Sequence, residues 1–170
     1  MNKIFKNRTN KLQNEIKNNQ SILLSSSSDI SYFTNFNFLV PEERESLLFI
    51  TKNSVNLIHT SFSPINNYSH IKYLKGSFPN QLANHIDKII KEENIEKILI
   101  DKNTLFVAEL NAIKDKINIL IEDYETTLIQ NFRNTKEISE IDKIKKACEI
   151  TSQIMTEIKD TLKPGITEIE

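Results

Sequence analysis

The sequence predicts an α/β domain of mixed strands flanked by helices, and three patterns predict it. Short runs of β-branched and aromatic residues recur at strand length, among them 46–51 and 55–60 on either side of the turn Lys52-Asn53-Ser54. Stretches with apolar residues three and four apart separate the later runs, so that helix feeds strand as in layered α/β folds. A long C-terminal stretch keeps the same helical spacing, with Ile141, Ile144, Cys148, Thr151, Met155, Ile158 and Leu162 on one face.

Taken in order, Ile4, Phe5, Leu12 and Ile16 make a sparse stripe that predicts a surface helix over 4–18. Ser21-Ile22-Leu23-Leu24-Ser25 is a short apolar run bounded by polar residues, read as a buried strand over 21–25. The four serines Ser25 to Ser28 with Asp29 read as a turn, because short hydroxyl and carboxylate side chains bond their own backbone. Nothing of a phosphate-binding helix start follows them, which argues against a ligand loop. The runs 46–51 and 55–60 read as an antiparallel hairpin. Pro64 to Phe78 has proline, paired asparagines and glycine without periodicity, a loop with room for one short strand or helical turn. Leu82, Ile86, Ile89 and Ile90 predict a helix over 80–93, followed by a strand over 97–101, a helix over 105–115 and a strand over 117–121. Residues 127–133 then link to the terminal helix. Asn134 with Glu137 three residues on reads as its N-terminal cap, and Pro164-Gly165 as its stop. Thr167-Glu168-Ile169-Glu170 repeats a helix-start signature, which reads as the opening of further structure, as in a truncated or split protein.

Composition narrows the partners. Among 170 residues, 22 basic and 23 acidic side chains leave a net charge of −1, which gives no footprint for nucleic acid or an anionic membrane. No run approaches the roughly 18 apolar residues of a membrane span, and the start has no signal-peptide core, so a cytoplasmic location is expected. The single cysteine, Cys148, excludes an internal disulfide framework, and its place on an apolar helical face reads as a small hydrophobe. Two glycines, Gly76 and Gly165, are too few for a glycine-rich phosphate loop. His59, His70 and His85 lie far apart without metal-ligand spacing and read as surface or strand-end residues. A two-metal nuclease would need carboxylates clustered on central strands. The run 21–25 carries none, and Asp101 stands alone at its strand end.

Two groups of residues carry a family resemblance. Arg133, Lys136, Glu137, Ile138, Ile141, Ile144 and Ala147, then Pro164-Gly165-Ile166-Thr167-Glu168, resemble the run that opens the catalytic "pita-bread" domain of the creatinase, prolidase and aminopeptidase P family. Tyr32-Phe33-Thr34-Asn35-Phe36 resembles the Y-L-[TS]-G-F motif of that family's N-terminal lobe, with Arg8 and Leu12 standing at its R-x-x-x-L. Asn35 takes the place of the usual glycine, a mild departure since asparagine best tolerates a left-handed backbone.

The resemblance implies a creatinase-like N-terminal domain over 1–130, its mixed sheet ribonuclease H-like in outline, and over 131–170 the linker and first helix of a catalytic domain. It implies hydrolysis before proline in proline-containing peptides, at a dinuclear Mn, Co or Zn centre in the intact enzyme. That centre's ligands match no residue here, so no metal or catalytic residue is expected in this chain. The lobe's implied roles are subunit association and closure of one side of the substrate pocket. Tyr32 and Phe36 are the candidate pocket aromatics, set against a reading of Tyr32, Phe33, Phe36 and Phe38 as core. The implied partners are a homo-oligomer or a catalytic half. A stand-alone binding or assembly module of the same fold is the alternative.

Overall fold

The computed structural model describes residues 2–162, 164, 165 and 167. They form two compact units, residues 1–132 and 133–170. In the first unit the chain runs α1 (Asn2–Glu15), β1 (Gln20–Leu24), α2 (Ser27–Thr34), β2 (Ser46–Thr51), β3 (Val55–His59), β4 (Lys72–Lys75), α3 (Asn80–Glu93), β5 (Lys97–Ile100), α4 (Val107–Lys116), β6 (Leu120–Asp123) and α5 (Thr126–Asn134). Among the described residues the strands make one mixed sheet, ordered β4-β3-β2-β1-β5-β6. The pairs β1/β2 and β2/β3 are antiparallel, whereas β3/β4, β1/β5 and β5/β6 are parallel.

Period-two alternation explains why helices cover both faces. Leu23, Leu47, Phe49 and Ile58 point to one face, where α3 and α4 bring Leu82, Ile86, Ile90 and Ile113. Their neighbours Ile22, Leu24, Leu48, Ile50 and Leu57 point to the other, under α1, α2 and α5 with Leu12, Ile16, Ile30, Phe33 and Ile129. A strand buried on both faces reads as a continuous apolar run, which is the pattern of β2. The outermost strands carry Lys72 and Lys75 on β4 and Glu122 and Asp123 on β6, charges that discourage pairing with a foreign strand.

Several expectations change. The serines from Ser26 onward with Asp29 are not a turn but the start of α2: Ser26 is the extended N-cap residue and Asp29 lies in the first helical turn. The same short polar side chains that favour turns favour helix starts, and the apolar residues after them decide between the two. β6 begins at Leu120, three residues later than expected, because Ile117 caps α4 and is buried against the core there. The expected link at 127–133 is helical, as α5, with Ile129 buried. The loop at 64–78 holds the one short strand it had room for, β4.

Left-handed backbone occurs at Asn19, Asn35, Asn67 and Asn94, with φ between 49° and 59°. In a chain with two glycines, asparagine takes over the positions glycine usually fills. Asn35 and Asn94 each close a helix this way, the cap N–H of Asn35 donating to the Ser31 carbonyl.

The second unit contains α6 (Ile138–Thr161). Its N-cap is Glu137, whose N–H donates to Glu140 Oε2 at 3.0 Å; Asn134, expected as the cap, instead ends α5. The helix gives way at Leu162 to the Pro164-Gly165 turn, where Gly165 has φ 94°. Residues 141–159 are exposed throughout, Cys148 among them. Of the helix-start signature at 167–170, all but Thr167 lies outside the described residues.

Candidate functional site

Tyr32 lies in the last turn of α2 and Phe36 just beyond its cap, Asn35, and the two have different surroundings. The Tyr32 hydroxyl donates to the Phe132 carbonyl at 2.7 Å, and its ring lies under the Arg8 guanidinium, 3.9 Å from carbon to centroid. Arg8 also donates to the Tyr32 carbonyl at 2.9 Å. Tyr32 therefore ties α1, α2 and α5 together. Phe36 is 2% exposed and meets Phe38 edge to face at 4.8 Å, so most of its ring is core. Its outer edge helps line an open depression of about 360 Å³ with Ser27, Ser28, Ser31, Phe38 and Pro41. Motif spacing located both aromatics, but where the Tyr32 ring and hydroxyl go depends on α1 and α5, which lie far away in sequence.

The loop that walls this depression is held by two charges, the partly buried Arg44 and the buried Glu45. Arg44 donates through Nε to Glu109 Oε1 at 2.7 Å and through Nη2 to the Thr104 carbonyl at 2.7 Å. Its Nη1 bonds the Ser25 carbonyl, and the guanidinium stacks on Phe106 at 4.4 Å. Glu109 Oε2 accepts the Phe106 N–H at 3.0 Å, capping α4. Glu45, 1% exposed, accepts the Val40 N–H at 2.7 Å and the Ser63 hydroxyl at 3.1 Å. No sequence motif marks Arg44, Glu45 or Glu109.

The parallel strands bring Asp29, Asp101 and Asp123 around the buried Tyr124, which sequence reasoning missed in treating Asp101 as isolated. Burial first, then the carboxylates of Asp101, Asp29 and Asp123, push the Tyr124 phenol well above its usual range. These carboxylates already accept local donors. Asp101 takes the Asn103 N–H at 2.9 Å and the Thr104 hydroxyl at 3.1 Å, and Asp123 takes the Lys102 N–H at 3.3 Å. No group of three or more His, Cys, Asp or Glu among the described residues could hold a metal ion, so a dinuclear centre does not fit the side chains present.

Each histidine has a structural setting. His59, at the end of β3, is buried, with Nδ1 2.8 Å from the Thr60 carbonyl; His85 Nε2 lies 3.0 Å from the Lys75 carbonyl. The His70 ring stacks on Tyr68 at 5.8 Å with both nitrogens shielded and unbonded, so burial, then Lys6, lower its pKa.

The first unit thus is a mixed six-stranded sheet flanked by helices, the fold of creatinase-type N-terminal domains. No family model matches the chain. In sequence it is 28% identical over 167 residues to an uncharacterized peptidase of Staphylococcus aureus strain bovine RF122, and 27% identical to the one of strain USA300. Each alignment covers 94% of this chain and 46% of the relative, so the chain spans about half the length of the curated relatives it matches. In structure it is similar to an Xaa-Pro dipeptidase from Bacillus anthracis, with a TM-score of 0.75 at 20% identity over 99% of this chain and 46% of that one. It is similar also to aminopeptidase P from E. coli, with a TM-score of 0.77 at 15% identity over 99% and 47%. An aminopeptidase P chain from Streptococcus thermophilus is covered over 98% of its own length by 78% of this chain, with a TM-score of 0.57; that share equals the length of the first unit. What this chain resembles is the N-terminal half of Xaa-Pro peptidases. Among the described residues no helix is long and apolar enough to cross a membrane.

Proposed function

We infer that this chain serves as the N-terminal lobe of an Xaa-Pro peptidase, residues 1–130 forming the lobe and 131–170 the linker and first helix of the catalytic unit. The observation that carries this is the extent of the match: nearly the whole chain superposes on less than half of each enzyme, at TM-scores of 0.75 and 0.77. The lobe's work is to close one side of a pocket for a proline-containing peptide and to support subunit association in the cytoplasm. Bond cleavage would belong to a unit carrying a dinuclear Mn, Co or Zn centre, for which the described residues offer no ligand group. Within the lobe, the edge of Phe36 is better placed than Tyr32 to border substrate, because Phe36 lines an open depression whereas the Tyr32 hydroxyl is engaged within the fold.

The reading frame after the codon for Glu170 tests this. Continuation into a unit with paired-metal ligands, together with Xaa-Pro dipeptide hydrolysis by the joined protein, supports the reading. In that protein Phe36→Leu should raise KM more than it lowers kcat. A gene with no such unit in frame or encoded separately would overturn it in favour of a stand-alone assembly module.

A further inference from the structure

We propose that residues 65–71 form a proton-operated latch on the C-terminal cap of α2: with His70 neutral the segment is shut against α1, and protonation of His70 releases it together with Asn35 and the turn that carries Phe36. Two sets of contacts build the latch. The Tyr68 ring is sandwiched between Phe5 of α1, at 5.7 Å, and His70, at 5.8 Å, with each pair of rings 14° from parallel. A turn closed by the Ile71 N–H on the Tyr68 carbonyl at 3.0 Å folds His70 back onto that ring, and the Tyr68 N–H donates to the Tyr73 hydroxyl at 3.0 Å. The segment then grips Asn35 at two points. The Asn35 amide donates to the Tyr68 hydroxyl at 3.2 Å, and the Asn35 carbonyl accepts from the Asn66 amide at 2.6 Å.

His70 is the weak point of this assembly. Both of its ring nitrogens are shielded from water and bond nothing. A neutral imidazole carries one donor and one acceptor, whereas an imidazolium carries two donors and a full charge, and shielding those without a partner costs far more. The charged and titratable groups around the stack give no relief. They are Lys6 and Arg8 of α1, Tyr68 itself, Lys72 and Tyr73 of β4, and His59, which meets the Tyr73 ring edge to face at 6.3 Å. None of these is a carboxylate, and the Lys6 ammonium repels a second cation. A proton on His70 therefore turns the ring out to water and removes one side of the sandwich around Tyr68.

Opening stays local. Asn66, Asn67 and Ser69 are exposed with the latch shut, and the ladder between β3 and β4 begins only after the segment, at Lys72, so the segment lifts at less cost than unfolding the lobe. The effect passes to Asn35. With the segment lifted, that residue keeps the bond from its N–H to the Ser31 carbonyl but loses its anchors to Tyr68 and Asn66. Phe36 follows it directly, so the ring edge that lines the depression beside α2 is loosened by a proton taken up on the far side of Tyr68.

Hydrogen exchange of the full chain, read by mass spectrometry and corrected for the intrinsic pH dependence of exchange, tests this at about pH 7.5 and about pH 5.5, either side of the ordinary histidine value of 6.5. Peptides over 64–72 and 33–38 should open roughly 5- to 10-fold more at the lower pH, and should stay far less protected than β2 and α3 at both. His70→Phe, which keeps the stack and leaves His59 and His85 in place, should abolish the response. In the wild type the His70 ring protons and the Asn35 side-chain amide, followed by NMR, should titrate with one midpoint, a readout that needs no variant to fold. An unchanged pattern at the two pH values would overturn the proposal, as would protection at 64–72 equal to that of β2 and α3, since the opening would then be global. A response that survives in folded His70→Phe would overturn it by assigning the proton to another group. Opening at 64–72 without 33–38, or separate midpoints for His70 and Asn35, would overturn the coupling to α2. None of these readouts uses peptidase activity, so the reading as a peptidase lobe is decided separately.

Discussion

Removing one member of the Arg44–Glu109 pair should be among the most damaging single changes in the lobe. The two side chains are 12% and 3% exposed, and their contact at 2.7 Å joins the loop before β2 to the start of α4. Arg44→Ala leaves the Glu109 carboxylate buried with the Phe106 N–H, and strips the Ser25 and Thr104 carbonyls of the same donor group. Breaking a buried pair from one side costs about 3–5 kcal/mol, because the remaining charge is uncompensated. For a chain of this size that lowers the melting midpoint by roughly 6–20 °C. Replacing both, as Arg44→Met with Glu109→Leu, removes the charge together with its partner, so the double variant should be at least about 1 kcal/mol more stable than Arg44→Ala. Urea denaturation of the wild type, Arg44→Ala, the single variants Arg44→Met and Glu109→Leu, and the double variant measures this. If Arg44→Ala costs less than about 1 kcal/mol, or the double variant costs the sum of the singles, the pair is screened by water and the reasoning is refuted.

Three further outcomes are expected. Asn35→Val should cost about 1–2 kcal/mol by urea titration, since a β-branched residue resists the φ of 56° there, while Asn35→Gly should stay within about 1 kcal/mol of wild type. The lowered pKa of His70 means that the unfolded chain binds its proton first, so stability should be full above the ordinary histidine value of 6.5 and fall as pH drops through and below it. Melting midpoints from pH 8 to 5 should show that slope, and His70→Phe, which keeps the stack on Tyr68, should flatten it. Phe36→Ala should cost about 3–5 kcal/mol as a core truncation, and Tyr32→Phe about 1 kcal/mol for one lost hydrogen bond, both read by calorimetry.

Much of the architecture was legible in the residues alone. The hairpin at 46–59 could be read because β2 and β3 are central strands, apolar on both faces, and pair with their neighbour in sequence. The helix at 80–93 matched residue for residue, since a strongly one-sided apolar stripe needs no distant information to declare itself. The left-handed backbone at Asn35 was likewise a local property, of one residue's tolerance for positive φ. The family resemblance rested on such short local motifs, and the structural neighbours agree with it.

Only the tertiary structure decided the rest. β6 was placed too early because its apolar approach, Ile117 and Ile119, packs under the helices, while the strand is an edge strand with charges at Glu122 and Asp123. The polar start of α2 read as a turn, since helix and turn share the same capping chemistry and burial of Ile30 and Phe33 settles the difference. The terminal helix was legible as amphipathic, and the apolar face that its spacing left without cover, Ile141, Ile144, Met155, Ile158 and Leu162, is exposed. Arg44, Glu45 and Glu109 carry no signature at all. A charged side chain is read as solvated until its partner is known, and the partner of Arg44 lies 65 residues away, reachable only once β1 and β5 pair in parallel and carry Ser25 and Thr104 to the same end of the sheet.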